Sequence, residues 1–211
     1  GKDNITVSAK GVNVNSGSGD DTITISGSNA TINSGAGNNI INAGGNSSSI
    51  TTGNDANTIN VTGNYVTVRT GNGTDTIKVT GTNADIDSGD GNDYVSIASG
   101  ATSSSITSKA GNNTVISDLD KANIIVGDGN NNVILNGALS NLVTGKGNNT
   151  ISVNGTSSTI TTGNGNNTVS VGGNYVTVKT GSGTDTIKVT GTNANIDSGA
   201  GNDNITASGA N

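Results

Sequence analysis

The 211-residue chain contains no cysteine, histidine, proline, methionine, tryptophan, phenylalanine, glutamate or glutamine. Without cysteine there is no disulfide, thiolate metal site or thiol nucleophile. Without histidine there is no imidazole base and no zinc site of the usual kind. Three tyrosines are the only aromatics, which excludes a bulky aromatic core. Positive charge is also scarce: 9 Lys and Arg residues face 15 aspartates, for a net charge of −6. That balance argues against nucleic acid or an anionic membrane as partner. No apolar run approaches the ~20 residues of a membrane-spanning helix, so membrane insertion is not expected. The first residues carry no signal-peptide pattern, so any export signal lies elsewhere or was removed.

Low hydrophobicity and 34 glycines alone suggest disorder, but periodicity overturns that reading. An aliphatic residue recurs at Val14, Ile32, Ile50, Val68, Ile86, Ile106 and onward to Ile196. The interval is 18 residues throughout, except for 20 between Ile86 and Ile106. Taking this residue as position 1, glycine dominates positions 4, 6 and 14. Position 8 is always Asp or Asn, position 10 is always Ile or Val, and position 12 is usually apolar. The stretch 1–13 fits as a partial unit covering positions 6 to 18. A longer period overlies the short one. Residues 63–88 and 173–198 differ at three positions and lie 110 residues apart, relating 1–101 to 111–211. This is the mark of an internal duplication.

Alternating aliphatics with Thr and β-branched flanks read as short strands whose successive side chains face opposite sides. Positions 10 and 12 point inward, and a second strand runs through positions 17, 1 and 3. Glycines at positions 4, 6 and 14 predict positive φ and tight bends. No 3.6-residue apolar period supports a helix. The expected fold is all-β: one continuous parallel β-solenoid or β-roll over residues 1–211, with about twelve 18-residue coils and two short strands per coil. Stacked at a strand spacing of ~4.8 Å, the coils make a rod of roughly 55 Å. A lone coil buries too little to fold, so stability belongs to the array.

The segment Gly71-Asn72-Gly73-Thr74-Asp75-Thr76-Ile77, repeated as Gly181-Ser182-Gly183-Thr184-Asp185-Thr186-Ile187, resembles the nonapeptide of RTX (haemolysin-type, calcium-binding) repeat proteins. The resemblance covers half of each coil over nearly the whole chain. The other half, as in Val79 to Ile86, keeps its aliphatics and lacks the Asp at the equivalent place. The resemblance implies a secreted or cell-surface β-roll. It also implies calcium bound between adjacent turns by Asp carboxylates and turn carbonyls.

The Asx column at position 8 carries Asp next to Asp only at Asp3/Asp21, Asp75/Asp93 and Asp185/Asp203. These six are the candidate metal ligands, since hard oxygen donors suit Ca²⁺. The competing reading is a metal-free ladder, in which Asn amides stack along the rod and Asp caps turns. Arg69 with Asp87, and Lys179 with Asp197, share position 2 of adjacent coils and are expected to pair across strands. Tyr65 and Tyr175 occupy equivalent positions, and Tyr94 falls in an outward Thr column. Serine and threonine are plentiful but no base partners them, and the Asp columns recur with the coil period rather than marking one cleft. No catalytic residue is nominated.

The function expected is therefore non-enzymatic: an extracellular structural rod forming a filament, matrix or adhesin stalk. Gly1 and Asn211 fall mid-coil, so head-to-tail self-association through free strand edges is expected. Two alternatives remain open. One is an ice- or glycan-binding solenoid. The other is a calcium-dependent RTX segment of a secreted toxin or enzyme.

Overall fold

The structure is a computed structural model that describes residues 1–209; Asn211, where a mid-coil end is expected, lies outside the described residues. The β-branched residues at positions 9 to 12 form a four-residue strand in every coil, from Asn4–Val7 to Asn204–Ala207. These twelve strands make one parallel sheet. Positions 18, 1 and 2 form the second strand of each coil, from Asn13–Asn15 to Asn195–Asp197, and build an 11-stranded parallel sheet. The chain alternates between the sheets, adding one strand to each per turn. The result is a β-solenoid of about eleven turns with no helix among the described residues.

Equivalent residues pile directly on one another. Ile23 pairs with Ile41, Ile41 with Ile59 and Ile59 with Ile77. In the second sheet Ile32 pairs with Ile50 and Ile50 with Val68. The inward residues of both sheets form one continuous core. Position 17 is buried immediately before the second strand, as at Ala30, Val66 and Ala84. Where serine takes that place it is satisfied: Ser48 Oγ accepts the Ala30 N–H at 3.3 Å. The longer interval between Ile86 and Ile106 is absorbed in a turn. Strands Asp85–Asp87 and Ser105–Ser108 still pair with Ile86 opposite Ile106. In the following coil, position 12 is the buried Ser117, and Leu119 two residues on enters the core.

The structure corrects the expectation about glycine at two of the three positions: at position 4, φ is positive at Gly17, Gly35, Gly89 and Gly199 but not at the other six glycines. At nine position-6 glycines φ lies between 112° and 149°, as expected for a turn that L side chains resist. At position 14 no glycine has positive φ. A Cβ on Gly81 would instead collide with the carbonyl of Gly63 in the coil before, and a Cβ on Gly63 with that of Gly45. These glycines are required by close approach between coils. The positive φ of this second turn falls at position 16. There Asn29, Ser47, Tyr65, Lys121, Leu139 and Tyr175 all lie between 56° and 60°.

Candidate functional site: the buried Asx ladder

Position 8 sits between the glycine turn and the first-sheet strand, so its side chain is held by the turn and pointed along the stack. From Asp21 to Asp185 every member of the column is buried, whereas Asp3 is exposed and Asp203 half-buried. Each Asx Oδ1 accepts the backbone N–H of the Asx one coil earlier. The Asp3 N–H donates to Asp21 Oδ1 at 2.8 Å, that of Asp75 to Asp93 at 3.0 Å, and that of Asp185 to Asp203 at 3.0 Å. The same bond joins the Asn rungs, as from Asn131 to Asn149 at 3.1 Å. The ladder is therefore unbroken and indifferent to whether the rung is Asp or Asn, because Oδ1 is common to both.

The second side-chain atom separates the two residue types. In Asn39, Nδ2 donates to Gly37 O at 2.9 Å, Gly35 O at 3.4 Å and Asn57 Oδ1 at 3.2 Å. In Asn131 it donates to Gly129 O at 3.1 Å, Gly127 O at 2.9 Å and Asn149 Oδ1 at 3.0 Å. All six Asn rungs donate to both turn carbonyls in this way. In Asp21, Asp75, Asp93 and Asp185 the equivalent atom is Oδ2, which is buried and accepts no N–H; the hydroxyls of Ser16, Thr70 and Ser88 beside the first three pull their carboxyls down, and Asp21 lies below the usual carboxylate value as a result. Taking a carboxylate out of water costs free energy. Burial prevails at Asp75 and raises its carboxyl. It pushes Asp93 up to about 6, although the Asp75 N–H pulls the other way.

Of the six sequence-nominated carboxylates, the structure places Asp3/Asp21, Asp75/Asp93 and Asp185/Asp203 on adjacent rungs, as expected. No cluster of three or more acidic side chains forms among the described residues. The atoms at an Asp rung suit a hard cation: the donors are a carboxylate oxygen that accepts no N–H and turn carbonyls, all oxygen. At an Asn rung the amide nitrogen fills the same place.

A second ladder was not anticipated. At position 7, the Asn148 N–H donates to Asn130 Oδ1 at 2.7 Å, and the Asn166 N–H to Asn148 Oδ1 at 2.8 Å. It runs along the exposed edge in the opposite sense to the buried one. Its signal is the Asx-Asx doublet, as in Asn38-Asn39, Asn130-Asn131 and Asn166-Asn167.

The charge pairs are partly as expected. Lys179 meets Asp197 at 3.7 Å. Arg69 does not pair with Asp87: its guanidinium meets Asp85 at 2.5 Å, and Asp87 is taken by Lys109 at 3.6 Å. Positions 18 and 2 face outward on the same side of the strand, and the long guanidinium reaches the diagonal neighbour. Tyr65 and Tyr175 are 63% and 62% exposed, so neither covers the core.

Comparison with protein-family models, curated protein sequences and solved structures finds no match.

Proposed function

We propose that the chain is a non-enzymatic structural rod of an extracellular or cell-surface filament, matrix or adhesin stalk, extended by head-to-tail stacking of coils from successive copies. The observation that carries this reading is the sameness of the coil-to-coil interface. From the first described coil to the last, each junction repeats a first-sheet strand pairing and an Asx N–H to Oδ1 bond, and every junction but the last adds a second-sheet pairing. An outermost coil of such a column offers the same groups that an inner coil uses, and unpaired strand edges recruit further strands. The hydrated Thr, Ser and Asn of the outward positions keep the shaft dispersed in water.

Calcium is a proposed ligand of the Asp rungs, held by the carboxylates of Asp21, Asp75, Asp93 and Asp185 with the adjoining Asp3 and Asp203. When bound, it supplies positive charge between oxygens that otherwise repel. Electron microscopy of the intact chain at high concentration, with calcium and with chelator, tests the main reading. Rods joined lengthwise at constant width are expected, and short single rods under both conditions would overturn it.

A second reading, glycan binding, draws support from the exposed rings of Tyr65 and Tyr175, since such rings stack on sugars. A glycan array probed with the chain and with a Tyr65→Ala/Tyr175→Ala variant tests it. Binding lost in the variant supports the reading, and a blank array removes it.

A further inference from the structure

We infer that the outward face of the 11-stranded sheet docks onto the same face of a second copy of the chain, the two rods lying side by side and antiparallel. The inference concerns the flank of the rod and stands apart from the head-to-tail stacking of its ends.

On this face position 2 of each coil stacks into one file. At its middle Ile125 lies opposite Val143, and the two are 45% and 38% exposed. They are the only aliphatics in a file otherwise made of Asn, Thr and charged residues. Removing such a pair from water is favourable. One threonine follows on each side, Thr107 and Thr161. Beyond Thr107 come Asp87 and then Arg69. Beyond Thr161 come Lys179 and then Asp197. Read outward from the centre, both arms run aliphatic, Thr, charge, opposite charge, and the signs of one arm are the reverse of the other.

That reversal is what a two-fold axis requires, because a symmetric interface sets residue i against j and j against i. An axis along the strand direction, midway between Ile125 and Val143, turns the second rod end for end and leaves position 2 facing position 2. Ile125 then faces Val143 of the second copy, and Thr107 faces Thr161. Asp87 faces Lys179, and Arg69 faces Asp197. Every charge in the file meets its opposite. The register is guarded as well. A slide that moves the axis by half a coil sets Arg69 against Lys179 in one direction and Asp87 against Asp197 in the other, and like charges facing one another reject that register. The one charge at position 18, Asp85, faces the neutral Thr177.

The rest of the surface does not offer this match. Around the proposed contact Arg69, Lys109 and Lys179 balance Asp85, Asp87 and Asp197, with which they pair along the rod. This flank is therefore neutral on a chain of net charge −6. The outward positions 9 and 11 of the other sheet carry Lys78 and Lys188 and no carboxylate, so a second copy finds no opposite charge there. The contact strip is eight strands of three residues, roughly 38 Å by 10 Å. That is about half of the ~800 Å² per partner of a standard interface, so the pairing is weak, concentration-dependent and sensitive to salt.

Small-angle X-ray scattering of the intact chain at rising concentration in low salt reads cross-section and length separately. Side-by-side pairing widens the cross-section and lengthens the particle by only three coils, roughly 14 Å. Asp87→Lys and Lys179→Glu each place like charges in both symmetry-related contacts and are expected to weaken pairing at least ~10-fold. An equal mixture of these two variants restores opposite charges in both contacts, so it pairs as the wild type does while neither variant alone does. Ile125→Ser/Val143→Ser removes the apolar centre, leaves every charge in place and weakens pairing too. A wild-type cross-section that stays single at every concentration overturns the inference, as do variants that pair undiminished or a mixture that fails to recover. Lengthening at constant cross-section supports the end-to-end reading and overturns this one; widening without end-to-end growth does the reverse.

Discussion

The backbone N–H and the side-chain Nδ2 of Asn57 both donate to one oxygen, Oδ1 of Asp75, at 2.7 and 3.0 Å. One carboxylate atom thus carries two bonds from the coil below while its twin receives none from that coil. This imbalance is how a rod built from an 18-residue repeat comes to have weak rungs.

The imbalance gives the rod a pH dependence. The Asp93 carboxyl is pushed by burial up to about 6, above its ordinary 3.8, and Asp75 is shifted in the same direction. A carboxyl raised in the folded state contributes stability that is complete below its unfolded value and is lost as pH rises through the folded one. The urea midpoint in chelator is therefore expected to fall between pH 4 and pH 7. Asp93→Asn removes this group's share of the fall. A wild-type midpoint that climbs over that range, with the variant unchanged in slope, would contradict the assignment.

The core file makes a second prediction. Ile59 is fully buried and lies between Ile41 and Ile77. Ile59→Ala is expected to cost about 2–5 kcal/mol. Ile5→Ala, in a half-buried position of the first strand, is expected to cost less. Chemical denaturation of the two variants compares them directly.

Glycine at position 14 offers a steric test. Gly81→Ala drives a Cβ into the Gly63 carbonyl, whereas Gly100 has open space around it and no positive φ. The Gly81 variant is expected to lower the melting temperature. Gly100→Ala is expected to be neutral or to stabilise by about 0.4–1 kcal/mol through the unfolded chain.

Leu139 holds a φ of 58° with its side chain 55% exposed. Asn visits that region at lower cost, so Leu139→Asn is expected to stabilise the rod by roughly 1 kcal/mol, the lower end of the left-handed penalty. Arg69→Ala, by contrast, removes an exposed ion pair with Asp85 and should change stability by under about 1 kcal/mol.

What could be read in advance follows from which properties repeat. The aliphatic files at positions 1, 10 and 12 are written in residue type, so the stacking of Ile23, Ile41 and Ile59 was legible to the residue. The Asx column was legible for the same reason. The left-handed residue at position 16 was not, because Asn29, Ser47, Lys121 and Leu139 share a backbone angle but no chemistry. The role of Gly81 was misread because a glycine required by a neighbour's carbonyl looks identical, in one dimension, to a glycine required by φ. That Oδ2 of Asp75 accepts no N–H could not be found from spacing, since it depends on which of two equivalent oxygens the preceding coil engages. Arg69 chose Asp85 over Asp87 because side-chain reach, not register, decides among outward neighbours.

Fibre diffraction from aligned, concentrated protein tests the central claim most directly. If coils stack along the shaft and shafts stack end to end, a reflection near ~4.8 Å lies on the meridian, parallel to the long axis of the filaments. A reflection of that spacing perpendicular to the long axis, or none at all, would contradict the account.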